Sequence, residues 1–142
     1  MTAPARSRII PPVVLGGADG VTIVLGILVS LTGHPAAMWH AALGAGLAEL
    51  VGMTAGMWLS DGEAGFRLAL CCGLAAFAAC VAPAVPYLIT RGPLALAVAV
   101  GITVVVAAAV TRLRPEKGVL AAAQTYGVLI VAVVLCYGAA LI

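Results

Sequence analysis

Glu49 stands in the middle of an apolar stretch, GAGLAELVGMTAGMWLS from Gly44 to Ser60, that is long enough to cross much of a bilayer. An ionisable side chain at such a depth is costly and marks a functional site by default. At helical spacing it is followed by Met53, Met57 and Asp61, so a carboxylate, two thioethers and a second carboxylate fall on one helix face. The preceding apolar stretch, GGADGVTIVLGILVS, holds another acid, Asp19. Carboxylate oxygens suit hard or borderline divalent ions, and a thioether biases a site away from magnesium and calcium towards iron and similar metals. The candidate ligands are therefore Asp19, Glu49, Met53 and Met57. Methionines alone read as packing residues; their alignment with Glu49 sets these two apart. A carboxylate in a low-dielectric medium favours its neutral form, whereas an arriving divalent cation favours the ionised one. Metal and proton then compete for one site, the minimal chemistry of antiport.

The elements that must position these groups are membrane spans. Of the 142 residues, 64% are hydrophobic and only 8% charged, against roughly 25% charged in an average soluble domain, and the mean hydropathy is +1.22. Apolar runs of sufficient length predict an all-α integral membrane protein with a single domain, 1–142, of five spans at about 13–32, 36–59, 66–89, 93–111 and 119–141. The net charge of +2 is small and its basic residues are scattered between spans, which excludes nucleic-acid binding as a function class. The first span follows Arg6 and Arg8, but its length and Asp19 set it apart from a cleaved signal.

With the N-terminus inside, Arg6, Arg8, Arg67, Arg112, Arg114 and Lys117 are cytoplasmic and Arg91 alone is outside. The positive-inside rule thus predicts a cytoplasmic N-terminus and an external C-terminus. Trp39 and Trp58 lie roughly 28 Å apart along a helix, at the expected anchor positions of the two interfaces. Taking the first span to open at Val13, after Pro11 and Pro12, puts Asp19 at the depth of Met53, with Glu49 about one turn deeper.

Small residues supply two packing surfaces. Gly16 and Gly20 let the backbone beside Asp19 approach a neighbour. Gly44, Ala48, Gly52 and Gly56 form a stripe next to the ligand row. Pro83 and Pro86 should bend or break the last turns of the third span. Cys71, Cys72, Cys80 and Cys136 have no metal-finger or disulfide spacing and read as buried small hydrophobes. His34 and His40 fall in the first outer connection, where a cation or pH role is open to them. Asp61 and Glu63 belong to a solvated turn at the cytoplasmic mouth. Gln124, Thr125 and Tyr126, on the fifth span, have two open roles, bonding to Asp19 or packing among themselves.

GADGVTIVLGILVS followed by GLAELVGMTAGMWLS and a third span ending PAVPYL resembles the vacuolar iron transporter family of plants, fungi and protists, with its bacterial relatives. The likeness covers the whole chain. Its most specific part is an acid, a Met four residues on, a Gly three further and an aromatic-Leu-Ser end, here Glu49, Met53, Gly56 and Trp58-Leu59-Ser60. The resemblance implies a homodimer in which Asp19, Glu49 and Met53 line a path for Fe²⁺ or Mn²⁺, exchanged for protons. Gly52 and Met57 stand where the family often has Ser and Glu. A short turn also replaces the long cytoplasmic segment that many members insert between spans two and three.

The expected function is a proton-coupled divalent metal transporter exporting Fe²⁺ or Mn²⁺ from the cytosol. Its partners are the metal ions, protons, the lipid bilayer and a second copy of the chain; no nucleic acid and no resident cofactor are expected. The expected location is the cell membrane of a bacterium. Two alternatives remain: a small proton-coupled carrier of organic cations using Glu49 alone, and a non-transporting membrane assembly subunit. An enzyme is not expected, because no nucleophile and base pair stands out.

Overall fold

The computed structural model describes residues 5–60, 65–114 and 118–140. Helices α1 (Ala5–Ser30) and α2 (Pro35–Ser60) are followed by α3 (Gly65–Val81), a 3₁₀ turn (Ala82–Ala84) and the short α4 (Pro86–Ile89). Helices α5 (Pro93–Leu113) and α6 (Val119–Ala140) complete the chain. Five segments are long and apolar enough to cross a membrane: Arg8–Ser30, Pro35–Ser60, Gly65–Ile89, Pro93–Leu113 and Val119–Ala139. The protein is thus an all-α, multi-pass integral membrane protein. Its outer surface is apolar, with Val105, Ile130, Val131 and Leu135 all exposed, as a lipid-facing surface requires.

Local sequence explains where the helices stop and start. Pro35 and Pro93 open α2 and α5, where the missing N–H would have no partner in any case. Gly92, before Pro93, has φ 79° and ψ −154°, a conformation that is essentially glycine's own. The third span breaks where expected: Pro83 lies in the 3₁₀ turn and Pro86 opens α4.

Pro11 and Pro12 do not open the first span. Both lie inside α1, which starts several residues earlier, so the predicted opening at Val13 is corrected. With the apolar segment running from Arg8, Asp19 is eleven residues from its start. Glu49 is likewise eleven residues from Ser60, the end of the α2 span. Each is thus roughly 16 Å along its helix from the arginine-rich end of the bundle, and the predicted offset of one turn disappears.

Helix α1 is the hub, and glycines let its neighbours in. A Cβ on Gly16 would collide with the Cys72 carbonyl, and one on Gly20 with the Ala76 carbonyl, so α1 and α3 meet backbone to backbone. Gly17 faces Val110 of α5, and Gly26 faces Cys136 of α6. On the far side of α3, Gly73 receives Thr54 and the Leu50 carbonyl of α2, while Gly46 of α2 receives Val81 and Phe77. Close approach of this kind is the main source of cohesion where lipid is as apolar as the side chains. Half of the third span is buried, against 6% of the fifth.

The Gly16 and Gly20 surface therefore packs as expected. The Gly44, Ala48, Gly52 and Gly56 stripe does not pack among the described residues: all four residues are exposed, and a Cβ on any of its three glycines would meet none of the described residues within 4 Å. The face of α2 turned to its own bundle runs instead through Met38, Ala42 and Gly46.

Candidate metal site

Equal depth brings the two intramembrane acids together. The side chains of Asp19 on α1 and Glu49 on α2 lie within hydrogen-bonding reach of each other. Two ionised carboxylates, being acceptors only, cannot form that bond; a single proton between them can. Glu49 is half-buried as a residue, yet its Oε2 is fully buried and has no hydrogen-bond partner among the described residues. Buried polar atoms are paired in the great majority of cases, so an orphan of this kind calls for an explanation.

A second orphan lies on the same helix. Thr54 Oγ1 is buried and without a partner among the described residues. It stands five residues beyond Glu49, about 7.5 Å towards the arginine-rich end, and presses on Gly73. Other intramembrane threonines satisfy themselves by bonding back one turn: Thr22 donates to the Ala18 carbonyl at 2.9 Å, and Thr103 and Thr111 to the Ala99 and Ala107 carbonyls at 2.8 Å. Thr54 departs from that habit. Sequence reading missed it, and the only signal available was a hydroxyl one residue past Met53 in an otherwise apolar run.

Cys72 and Cys80 of α3 are both fully buried. The Cys72 sulfur rests against the Gly16 backbone, and the Cys80 thiol donates to the Ala42 carbonyl at 3.6 Å. The expected burial therefore holds for these two, whereas Cys71 and Cys136 are only half-buried. All four cysteines are free.

Met53 and Met57 follow Glu49 at one and two turns, half-buried. Asp61, the end of that row, and Glu63 lie outside the described residues. Among the described residues no three His, Cys, Asp or Glu side chains converge into a cage; the acids form a pair. His34 and His40 are exposed at the opposite end of the bundle. Trp58 is exposed at the arginine-rich end of α2, edge-on to Phe66 of α3 with ring centroids 5.8 Å apart. Trp39 is half-buried near the other end. Both tryptophans thus sit close to the ends of their span.

Gln124 and Thr125 do not reach Asp19. Arg114, at the end of α5, donates to Gln124 Oε1 at 2.9 Å, to Thr125 Oγ1 at 3.1 Å and to the Ala121 carbonyl at 3.2 Å. The reason is rotational. Ala18 and Val21 of α1 face α6 with Gln124 and Thr125, and Asp19, about 100° round the helix from Ala18, faces α2. Tyr126 packs beside Val21 and Leu129. The chain matches no protein-family model, no curated protein and no solved structure, so the chemistry of the site rests on the residues themselves.

Proposed function

We propose that the chain carries a divalent metal ion, Fe²⁺ or Mn²⁺, out of the cytosol in exchange for protons across a bacterial cell membrane. The observation that supports this most is the facing pair Asp19 and Glu49, with Glu49 Oε2 buried at mid-membrane depth and unpartnered among the described residues. In the metal-free state one proton bridges the pair, which explains why two acids tolerate each other there. An arriving dication displaces that proton and takes its place between the oxygens. Metal binding thereby releases a proton, and protonation from the far side releases the metal.

The route from the cytoplasm follows α2. The Thr54 hydroxyl offers an oxygen about 7.5 Å before Glu49, and the sulfurs of Met53 and Met57 on neighbouring turns favour iron or manganese over magnesium. One copy of the chain supplies two carboxylates, short of a full coordination shell for either metal. A homodimer formed through the open Gly44, Ala48, Gly52 and Gly56 face would bring a second α2 close, since two-fold symmetry doubles every ligand.

The test is metal flux into proteoliposomes for the wild type, Asp19→Ala, Glu49→Ala and Met53→Ala. The wild type is expected to move Mn²⁺ inward with counterflow of protons, the two acid variants to lose flux, and Met53→Ala to transport with poorer discrimination against Mg²⁺. Equal flux in all four overturns the reading.

A further inference from the structure

Outward of the acid pair the bundle is shut. Ile23 stands one helical turn beyond Asp19 on α1, and Ala45 one turn before Glu49 on α2, each about 6 Å further out on the face that carries its acid. Both pack against a buried apolar cluster to which α1 to α5 all contribute, with Val24 and Leu28 from α1, Met38 from α2, Cys80 from α3 and Tyr87 from α4. Met38 is eleven residues before Glu49, about 16 Å out along the helix, and half the hydrocarbon core of a bilayer is about 15 Å. The cluster therefore fills the outer half of the membrane directly over the acids. The two halves of α2 differ accordingly. Its buried residues, Met38, Ala42 and Gly46, all lie outward of Glu49, whereas from Leu47 to Ser60 every residue is half-buried or exposed. An ion between the acids thus meets loose packing towards the arginine-rich end and a sealed core towards the other. Outward release requires that core to part.

The element of the core with the least to hold it is α4. Its four residues stand between two interruptions of the helical hydrogen-bond ladder. On one side Pro83 and Pro86 carry no N–H, and the 3₁₀ turn is closed by Val85 donating to the Ala82 carbonyl at 3.3 Å. On the other side Thr90 is extended, with φ −139° and ψ 166°, and Gly92 has φ 79°. Pro86 and Tyr87 are buried, whereas Leu88 and Ile89 are exposed. Helix α4 thus holds one large side chain in the core and leaves it without unpacking a long helix face. Hinges are built from a few such element-terminal residues that absorb backbone rotation.

We propose that this cluster is the outer gate of the carrier and that α4 opens it, swinging Tyr87 out of the core on the breaks at Pro83 and Gly92. The inference rests on the transport reading above and adds the exit to it. In the described conformation the gate is closed.

The experiment follows Cys80, a native thiol inside the cluster, in membrane vesicles of either orientation holding the full chain. A membrane-impermeant methanethiosulfonate is added outside the vesicles, and peptide mass spectrometry reads the modification of Cys80, with Mn²⁺ flux measured in parallel. In the wild type Cys80 should react slowly and from the outer face alone. Tyr87→Ala should raise that rate about tenfold, the effect of moving a two-state equilibrium by one decade. Pro83→Ala with Pro86→Ala, which restores two N–H donors and stiffens the hinge, should slow both the modification and the flux while Mn²⁺ binding, measured by isothermal titration, stays unchanged. Modification of Cys80 from the cytoplasmic face overturns the gate, as do rates that neither variant changes. A wild type that moves no Mn²⁺, yet shows outer-face modification that Tyr87→Ala speeds, overturns the metal reading and keeps the gate for a different cargo.

Discussion

A carboxylate oxygen and a hydroxyl, each without a partner among the described residues, on one helix and within two turns, define what single residues contribute here. If one proton bridges Asp19 and Glu49, each bound dication releases about one proton, and affinity should fall about tenfold per pH unit as the pH is lowered through the range where the pair binds that proton. Isothermal titration with Mn²⁺ across pH measures that slope, and Glu49→Gln should abolish both binding and slope. Thr54→Val separates stability from function. Removing a buried unsatisfied hydroxyl should leave thermal stability unchanged or raise it by up to about 1 kcal/mol, while Mn²⁺ flux falls. A loss of stability without a change in flux would make Thr54 a packing residue. Asp19 and Glu49 were legible from sequence because acids within apolar runs are rare. Their direct contact was not, because it depends on where α1 begins, and two prolines disguised that point. Thr54 was hidden for a different reason: whether a helical threonine bonds back to the carbonyl one turn earlier depends on the neighbour packed against it, here Gly73.

Between helices, glycines do two different things that sequence alone does not separate. Those on α1 and Gly73 on α3 are filled by a neighbouring helix, whereas Gly44, Gly52 and Gly101 face nothing among the described residues. Gly16→Ala should therefore destabilise the bundle by about 1–3 kcal/mol or more, because the methyl group meets a backbone carbonyl that cannot turn aside. Gly101→Ala should be neutral or stabilising by up to about 1 kcal/mol through helix propensity. Unfolding of the two variants in detergent, followed by circular dichroism, distinguishes them. The number of spans, their order and the break at Pro83 and Pro86 followed directly from apolar run length and proline chemistry. The seam that α2 presents to α3 did not. Gly46, at its centre, is only two residues from Gly44 in the stripe that faces outward, and a spacing rule applied to a glycine-rich helix cannot choose between them.

For the molecule as a whole, the outward stripe bears on assembly. If the proposed homodimer forms there, Gly52→Leu with Gly56→Leu should shift the protein from dimer to monomer in analytical ultracentrifugation, with little change in the unfolding of each copy. A monomeric wild type would remove the second copy from the site. The packing also has a bearing on how the chain is made. The closest interfaces join α1 to α3 and α2 to α3, all among the first three spans to leave the ribosome, whereas α6 is the least buried. A charged carboxylate at the centre of a lone helix costs roughly 2.5–3.5 kcal/mol on insertion. Because Asp19 precedes Glu49 by one span, each acid finds its counterpart as soon as the second helix enters the bilayer, and α3 can then pack against both helices. Biogenesis would thus bury the costly groups first and add the loosest helix last.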